Sequence, residues 1–271
     1  MNLERFSLQG RTAIVTGAVG LLGREHCAAL GEAGAQVVVT DVDERACEAL
    51  AAELGKKDVP AVGVGADITD PAALARLRDR ALERFGAIDV LVNNAAIDDK
   101  FDPAAGVEQS RFESYSLDRW RRSIDVNVTG TFLCCQVLGS EMARRGRGSI
   151  VNVASTYGVV APDQGLYRDA GGRQRFFKSA AYPVSKGAVV ALSRYLATYW
   201  GTAGVRVNTL SPGGVEAGQD AHFVESYSRR TPMGRMARPD DYRGALIFLA
   251  SDASAYLTGS NLVVDGGWTA W

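Results

Sequence analysis

Histidine and cysteine are scarce in this chain, and neither is spaced for metal. There are two histidines, His26 and His222, and four cysteines, Cys27, Cys47, Cys134 and Cys135, with no Cys-x-x-Cys pair among them. A zinc centre draws three or four such ligands from short, regular spacings, so no metal site is expected. The cysteines read as small buried hydrophobes and the histidines as surface imidazoles. An excess of either charge is also missing: 30 Lys and Arg stand against 31 Asp and Glu, with no run of like charge. Nucleic acid is therefore not an expected partner. No apolar run approaches the roughly 18 residues that span a bilayer, and the opening segment MNLERFSLQG lacks the basic-then-apolar order of a signal peptide. A membrane partner is not expected, and a cytoplasmic location is. Internal repeats, low-complexity tracts and linkers are absent from the pattern as well, so residues 1–271 read as a single domain.

What is present is a recurring short, β-rich apolar run. Such runs occur at 12–17, 36–41, 60–67, 88–95, 148–155, 205–212 and 261–267. Between them lie segments of helical period, such as DERACEALAAELG and DPAALARLRDRALERFG, each opening on an acid suited to a cap and closing near glycine. Strands apolar on both faces, alternating with helices, argue for α/β architecture: a doubly wound parallel sheet of about seven strands covered on both sides. Two connections, 96–120 and 156–181, are long for simple links. Both follow the carboxyl end of a strand, where open α/β sheets bind ligands, which makes them candidate pocket walls.

After the first strand comes TGAVGLLGRE, with Gly17, Gly20 and Gly23 leading into a helix expected over 21–33. Glycines there let the backbone turn tightly against a pyrophosphate, whose charge a helix N-terminus stabilises. A plain tight turn is the bland alternative. Asp41, at the end of the second strand, stands where a carboxylate would accept hydrogen bonds from a ribose 2′-hydroxyl and repel a 2′-phosphate. NAD is thereby favoured over NADP, unless Asp41 only caps its loop.

Tyr182 and Lys186 are four apart at the head of another apolar-periodic run, hence on one helix face. Among nine tyrosines one such pair can arise by chance. If it is functional, a fixed cation would lower the phenol's pKa and let it exchange a proton with an alcohol or ketone.

With Gly17, Asp41, Asn93 to Ala96, Asn127, Ser155 and the Tyr182/Lys186 pair in this order, the chain resembles the short-chain dehydrogenase/reductase family over essentially its whole length. The resemblance implies Tyr182 as general acid/base and Lys186 as the residue that binds the nicotinamide ribose and lowers the tyrosine's pKa. It implies Ser155 as hydrogen-bond partner of the substrate oxygen and Asn127 as holder of a water linking Lys186 to a proton relay. It further implies that Leu22 offers its amide to the pyrophosphate, Asp67 and Ile68 border the adenine, Asn94, Ala95 and Ala96 lie along the ribose, and Pro212, Gly213 and Val215 reach the nicotinamide. Ile68 and Val215 could equally be core. Segments 118–145 and 181–200 are similar to the interface helices of family homotetramers, and the apolar tail ending GGWTAW looks suited to burial between subunits.

The departures from the family pattern are informative. Leu21 stands where the family's middle glycine falls, Ala96 replaces a common glycine, and Ala217 replaces a threonine that anchors the nicotinamide amide. The bridge from Ser155 to Tyr182 is much longer than the family norm. It carries Arg168, Arg173, Arg175 and Lys178 with Tyr157, Gln164 and Tyr167. Several cations over the site, Arg175 among them, would clamp a phosphate or carboxylate on the substrate; a solvated loop is the alternative. Within the family the chain looks most like sugar oxidoreductases tied to flagellin modification. The expected activity is NAD-dependent interconversion of a secondary alcohol and ketone on a polar, sugar-like small molecule, phosphorylated or acidic if the clamp exists, with Ser155, Tyr157, Tyr182 and Arg175 contacting it. A 3-oxoacyl thioester reductase is the rival enzyme, and a non-catalytic dinucleotide sensor the rival of another class.

Overall fold

The computed structural model describes residues 3–99 and 106–271. Its strands are β1 (Thr12–Thr16), β2 (Gln36–Asp41), β3 (Ala61–Gly65), β4 (Val90–Asn93), β5 (Gly148–Val153), β6 (Val205–Pro212) and β7 (Asn261–Val264). The helices are α1 (Leu21–Glu32), α2 (Glu44–Gly55), α3 (Pro71–Phe85), α4 (Leu117–Ile124), α5 (Thr131–Cys134), α6 (Ser140–Arg145), α7 (Ala181–Trp200), α8 (Ala221–Arg230) and α9 (Arg243–Ala250). All strands pair parallel in one sheet, in the order β3-β2-β1-β4-β5-β6-β7. The strand pattern is the one read from the sequence, trimmed by up to three residues at the ends.

Alternation along each strand sorts the core into two layers. Ala13, Val15, Val37, Val39, Val90 and Val92 pack with Cys27 and Leu30 of α1, Leu50 and Leu54 of α2, and Leu246 and Leu249 of α9. Ile14, Val38, Leu91 and Ile150, on the opposite face, pack with Leu74 and Leu77 of α3, Leu138 just before α6, Met142 of α6, and Leu196 of α7. Each fully buried aliphatic side chain stabilises by about 1.5–3 kcal/mol, so a sheet covered on both faces is held from both sides.

The helix caps follow the acids seen in the sequence. Asp43 accepts from the Ala46 amide and opens α2, and Asp70 accepts from the Ala72 amide and opens α3. All four cysteines are buried thiols. The surface reading of the histidines fails for His26, which is fully buried on α1, and neither of its ring nitrogens has a partner. Its helix packs on β1 and β2 and alongside α9 in the same layer, an environment that the residue type alone does not signal.

The strand order reverses between β1 and β4. From β1 the chain builds outward to β3, then returns to β4 on the other side of β1. The diverging connections leave a crevice at the carboxyl ends there, and Ser155, Tyr182, Lys186, Asn94, Pro212 and Gly213 gather around it.

Candidate active site

The cofactor half is built at the exit of β1. Gly17 has φ +62°, and a Cβ on it would lie 2.6 Å from the Ala95 Cα, so only glycine lets the β1 turn approach the β4 exit this closely. The Asn94 amide donates to the carbonyls of Thr16 (3.1 Å) and Gly17 (3.0 Å), and the Thr16 hydroxyl accepts from the Asn94 and Ala95 amides. Gly23 acts differently. A Cβ there would meet the Gly17 carbonyl at 2.1 Å, so it seats α1 against the turn rather than touching a ligand. The N-terminus of α1 has no side-chain cap and no acid in its first turn. Its free N–H groups and dipole therefore stay available to an anion, and Leu22 lines the cavity in front of them.

Asp41 ends β2 with Oδ1 accepting from the Val42 amide (2.8 Å) and Oδ2 only weakly engaged by the Val19 amide (3.4 Å). The carboxylate thus sits beside the glycine turn, as the spacing suggested. Asp67 is exposed and caps Thr69. Ile68 resolves as core: its side chain is buried against Gly130. Val215 both lines the cavity and packs on the sheet core.

Ser155 follows β5 in extended backbone and opens a 3-10 turn, its Oγ accepting from the Tyr157 amide at 3.1 Å. Tyr182 and Lys186 sit one turn apart on α7, with the ammonium 5.7 Å from the phenol ring centre and Nζ donating to the Val153 carbonyl at 2.8 Å. Burial pushes the Lys186 ammonium down to about 8 and pushes the Tyr182 phenol up, with Asp98 adding to the phenol's rise and a hydrogen bond to Ser155 opposing it. This corrects the expectation that Lys186 lowers the phenol. Both groups are enclosed, desolvation disfavours both charges, and the ammonium is already held by a backbone carbonyl.

Asn127 lies in a π-helical segment, Asp125–Gly130, between α4 and α5. Its amide donates to the Ile97 carbonyl (2.9 Å) and the Ser185 hydroxyl (3.0 Å), and its Oδ1 accepts from the Ile97 amide (2.8 Å). The side chain therefore fastens the β4 exit to the first turn of α7, the turn that carries Tyr182. A π-bulge at a functional position is a familiar way to re-aim one residue.

Ser155, Tyr182, Lys186, Asn94, Ala96, Pro212 and Gly213 line one cavity of about 310 Å³, with Tyr157, Tyr167, Phe223, Tyr227, Met236, Asp98 and Lys178 as its outer wall. The arginine clamp is not assembled there. Arg175 is exposed and faces Asp169 at 3.9 Å, and Arg168 donates to Gln174 at 3.2 Å. Arg173, also exposed, is outside the cavity lining. The 156–181 segment folds back on itself through the Arg168–Gln174 bridge, which turns the arginines outward. Only Lys178 of that set reaches the cavity, and it is paired with Asp98. Lys100, named with Asp98 and Asp99 as a polar loop residue, lies outside the described residues.

Comparison with known proteins adds to this geometry. A family model described as enoyl-(acyl carrier protein) reductase matches residues 17–269. The chain is 38% identical to a D-threitol dehydrogenase of Mycolicibacterium smegmatis over 97% of this chain and 95% of that one. The chain belongs to the short-chain dehydrogenase/reductase family. It is also 35% identical to a galactitol 2-dehydrogenase (L-tagatose-forming) of Cereibacter sphaeroides, covering 98% of each chain. A crystal structure of a gluconate 5-dehydrogenase from Burkholderia cenocepacia, in complex with NADP and tartrate, superposes with a TM-score of 0.87 at 33% identity over 99% of each chain.

As a short-chain dehydrogenase/reductase, the protein is a dinucleotide-dependent oxidoreductase acting on CH–OH groups of a small molecule. Its residues fit a dinucleotide: the open α1 N-terminus and Leu22 would hold the pyrophosphate, Asp41 a ribose, and Asn94 to Ala96 the strand-end edge of the groove. Ala217 gives no side-chain anchor for the nicotinamide amide. Its own amide donates to Gln219 Oε1 (2.7 Å), while Gln219 Nε2 donates to the Val215 carbonyl (2.8 Å), so a glutamine shapes that loop instead.

Several wall residues escaped the sequence reading. Tyr227 belongs to no motif, yet its hydroxyl accepts from the Gly214 amide at 2.6 Å and its ring stacks on Trp268 at 4.1 Å. Trp268 is thereby buried within its own chain, 8% exposed, whereas Trp271 is 80% exposed. Of the tail expected to suit burial between subunits, Trp271 alone of the two tryptophans is left exposed for that. Asp98 and Lys178 were both visible as polar loop residues; their pairing across 80 positions was not.

Proposed function

We propose that this short-chain dehydrogenase/reductase interconverts a secondary alcohol and a ketone on a polar, sugar-like substrate and prefers NAD. The observation that carries the reading is the convergence of the Tyr182 phenol, the Ser155 hydroxyl and a charged Asp98–Lys178 pair on one cavity. The nicotinamide, when bound, supplies the hydride acceptor or donor. Ser155 donates a hydrogen bond to the reacting oxygen where charge develops, and Tyr182 takes the hydroxyl proton in oxidation or returns it in reduction. Lys186 holds the ribose beside them, and Asn127 fixes the helix turn on which Tyr182 sits.

Asp41 supports NAD. A 2′-phosphate would meet its carboxylate, and Arg24, the cation of this turn, is engaged with the Val19 carbonyl and Glu53. An acyl-thioester substrate is disfavoured because the outer wall presents an ion pair and tyrosine hydroxyls rather than a greasy channel. The likeness to flagellin-modification sugar oxidoreductases fits the same polar wall. The exposed Phe132, Tyr195 and Tyr199 on the 118–145 and 181–200 segments support a homotetramer, and a monomeric mass by light scattering would overturn that part. A cytoplasmic enzyme of one domain is part of the same reading.

The test is NADH formation from NAD with a panel of polyols and sugars, each free and as its phosphate or acid. Turnover of polyols is expected; no turnover with any alcohol, alongside measurable dinucleotide binding, would return the protein to a sensor role.

A further inference from the structure

The Asp98–Lys178 pair sits where a second polar group of the substrate must go. Lys178 Nζ donates to Asp98 Oδ2, and the same ammonium lies 4.8 Å from the centre of the Tyr182 ring. The carboxylate is thus one hydrogen bond beyond an ammonium that covers the phenol. The two partners are not equally accessible: the Lys178 side chain is 9% exposed and that of Asp98 is 35%. Lys178 is also fixed from behind. Its amide donates to Gln164 Oε1 at 2.8 Å and its carbonyl accepts from Gln164 Nε2 at 3.0 Å, while Gln174 Nε2 donates to the Gln164 carbonyl at 2.7 Å. Next to it, the Phe177 amide donates to Ser110 Oγ at 3.0 Å, so both long connections hold this corner. On the Asp98 side, Asp99 is held by Arg119 at 3.1 Å and by the Tyr115 hydroxyl.

A pre-positioned ammonium whose charge is spent on a carboxylate is a poor anion clamp. The carboxylate, by contrast, retains acceptor capacity on the cavity wall: an ionised carboxylate accepts at about four sites, and Lys178 and the Asp99 amide occupy two. We propose that Asp98 is the specificity-determining acceptor for a substrate hydroxyl on a carbon adjacent to the carbinol carbon, so that the enzyme reads a neutral vicinal diol. Lys178 is the positioning residue that keeps Asp98 ionised in a partly dry site and holds it beside Tyr182. The inference rests on the dehydrogenase reading above and deepens it, naming the feature of the substrate that the outer wall recognises. A carboxylate or phosphate at the same place would face Asp98 directly and find no unpaired cation on the cavity wall among the described residues other than Lys186, which serves the ribose.

Butane-2,3-diol and butan-2-ol differ only in the neighbouring hydroxyl. With NAD, the wild-type ratio of their kcat/KM values is expected to favour the diol, and Asp98→Asn is expected to reduce that ratio about tenfold to a hundredfold, the range for a lost charge-assisted hydrogen bond. A merely structural role for Asp98 would depress both substrates together, so an unchanged ratio overturns the proposal. A wild-type ratio near one does the same. Should Asp98→Asn not fold, the wild type decides with 3-hydroxybutanoate, which places a carboxylate near the carbinol: slower turnover than the diol is expected, and a tenfold preference for the acid would put Lys178, not Asp98, on the substrate. Absence of turnover with every one of these alcohols would instead be the failure of the dehydrogenase reading itself, and the proposal would fall with it.

Discussion

The two halves of the active site are made in different ways. The centre of the cofactor half comes from contiguous sequence: a strand, a glycine turn, an uncapped helix and a strand-end acid, with Gly17, Leu22 and Asp41 within a single β-α-β unit, closed from outside it only by the β4 exit at Asn94 and by Lys186. The substrate half comes from contacts between segments far apart in the chain. Lys178 pairs with Asp98, Arg230 of α8 pairs with Asp163, and Gly214 donates to Tyr227. A locally encoded half can be common to many substrates; a half assembled from long connections can change with each. Damage to one half should therefore leave the other readable.

The largest effect is expected between the halves, at Tyr182. Tyr182→Phe should lower turnover about a hundredfold to ten-thousandfold, the usual span for a general acid/base, while dinucleotide affinity measured by fluorescence titration stays near wild type. Equal losses in both would show that the phenol is structural.

Acid should strike the cofactor half first. His26 lies on the helix that presents its N-terminus to the cofactor, and burial lowers it to about 4 from an ordinary 6.5. An unfolded chain binds a proton that the native His26 refuses, so its contribution is complete above the ordinary value and is lost as pH falls toward 4. The full span corresponds to about 3 kcal/mol. Thermal melts of wild type and His26→Leu between pH 7 and about 4.5 should diverge, the wild type losing more; parallel curves would count against it.

Smaller effects should divide cleanly. Asp41→Ala should shift the NAD to NADP preference toward NADP by about tenfold, through loss of one charged acceptor and its repulsion of a 2′-phosphate, with little change in substrate KM. Gln164→Ala should do the reverse: it frees both backbone groups of Lys178, and substrate KM should rise about threefold to tenfold with cofactor affinity unchanged. Movement of both parameters in either variant would mean that the halves are not separable.

This contrast also explains what the sequence made legible. The strands, the Asp43 and Asp70 caps, the glycine turn, Asp41 and the shared helix face of Tyr182 and Lys186 were readable because each depends on near neighbours in the chain or on a spacing fixed by helix and strand periods, whereas Ser155, across a long bridge from them, was legible only through the family resemblance. The arginines were misread because composition places charge in a segment without saying which way the segment folds; Gln174 and Asp169 turn Arg168 and Arg175 outward. The direction of the Tyr182 shift was misread for a related reason. Spacing brings a cation near a phenol, but the burial of both groups decides which effect wins, and burial is a property of the whole fold.

The central claim is that Tyr182, enclosed and pushed upward, exchanges the substrate proton. The most direct measurement is the pH dependence of kcat/KM in both directions, alcohol oxidation with NAD and ketone reduction with NADH, for the diol pair preferred by the wild type. Oxidation needs the phenolate, so with the phenol held above its ordinary value of about 10 its rate should climb from about pH 6 to about pH 10 without levelling off, while reduction, which uses the protonated phenol, should not climb. Oxidation that is flat or falling over the same range would contradict the assignment of Tyr182 as the proton acceptor.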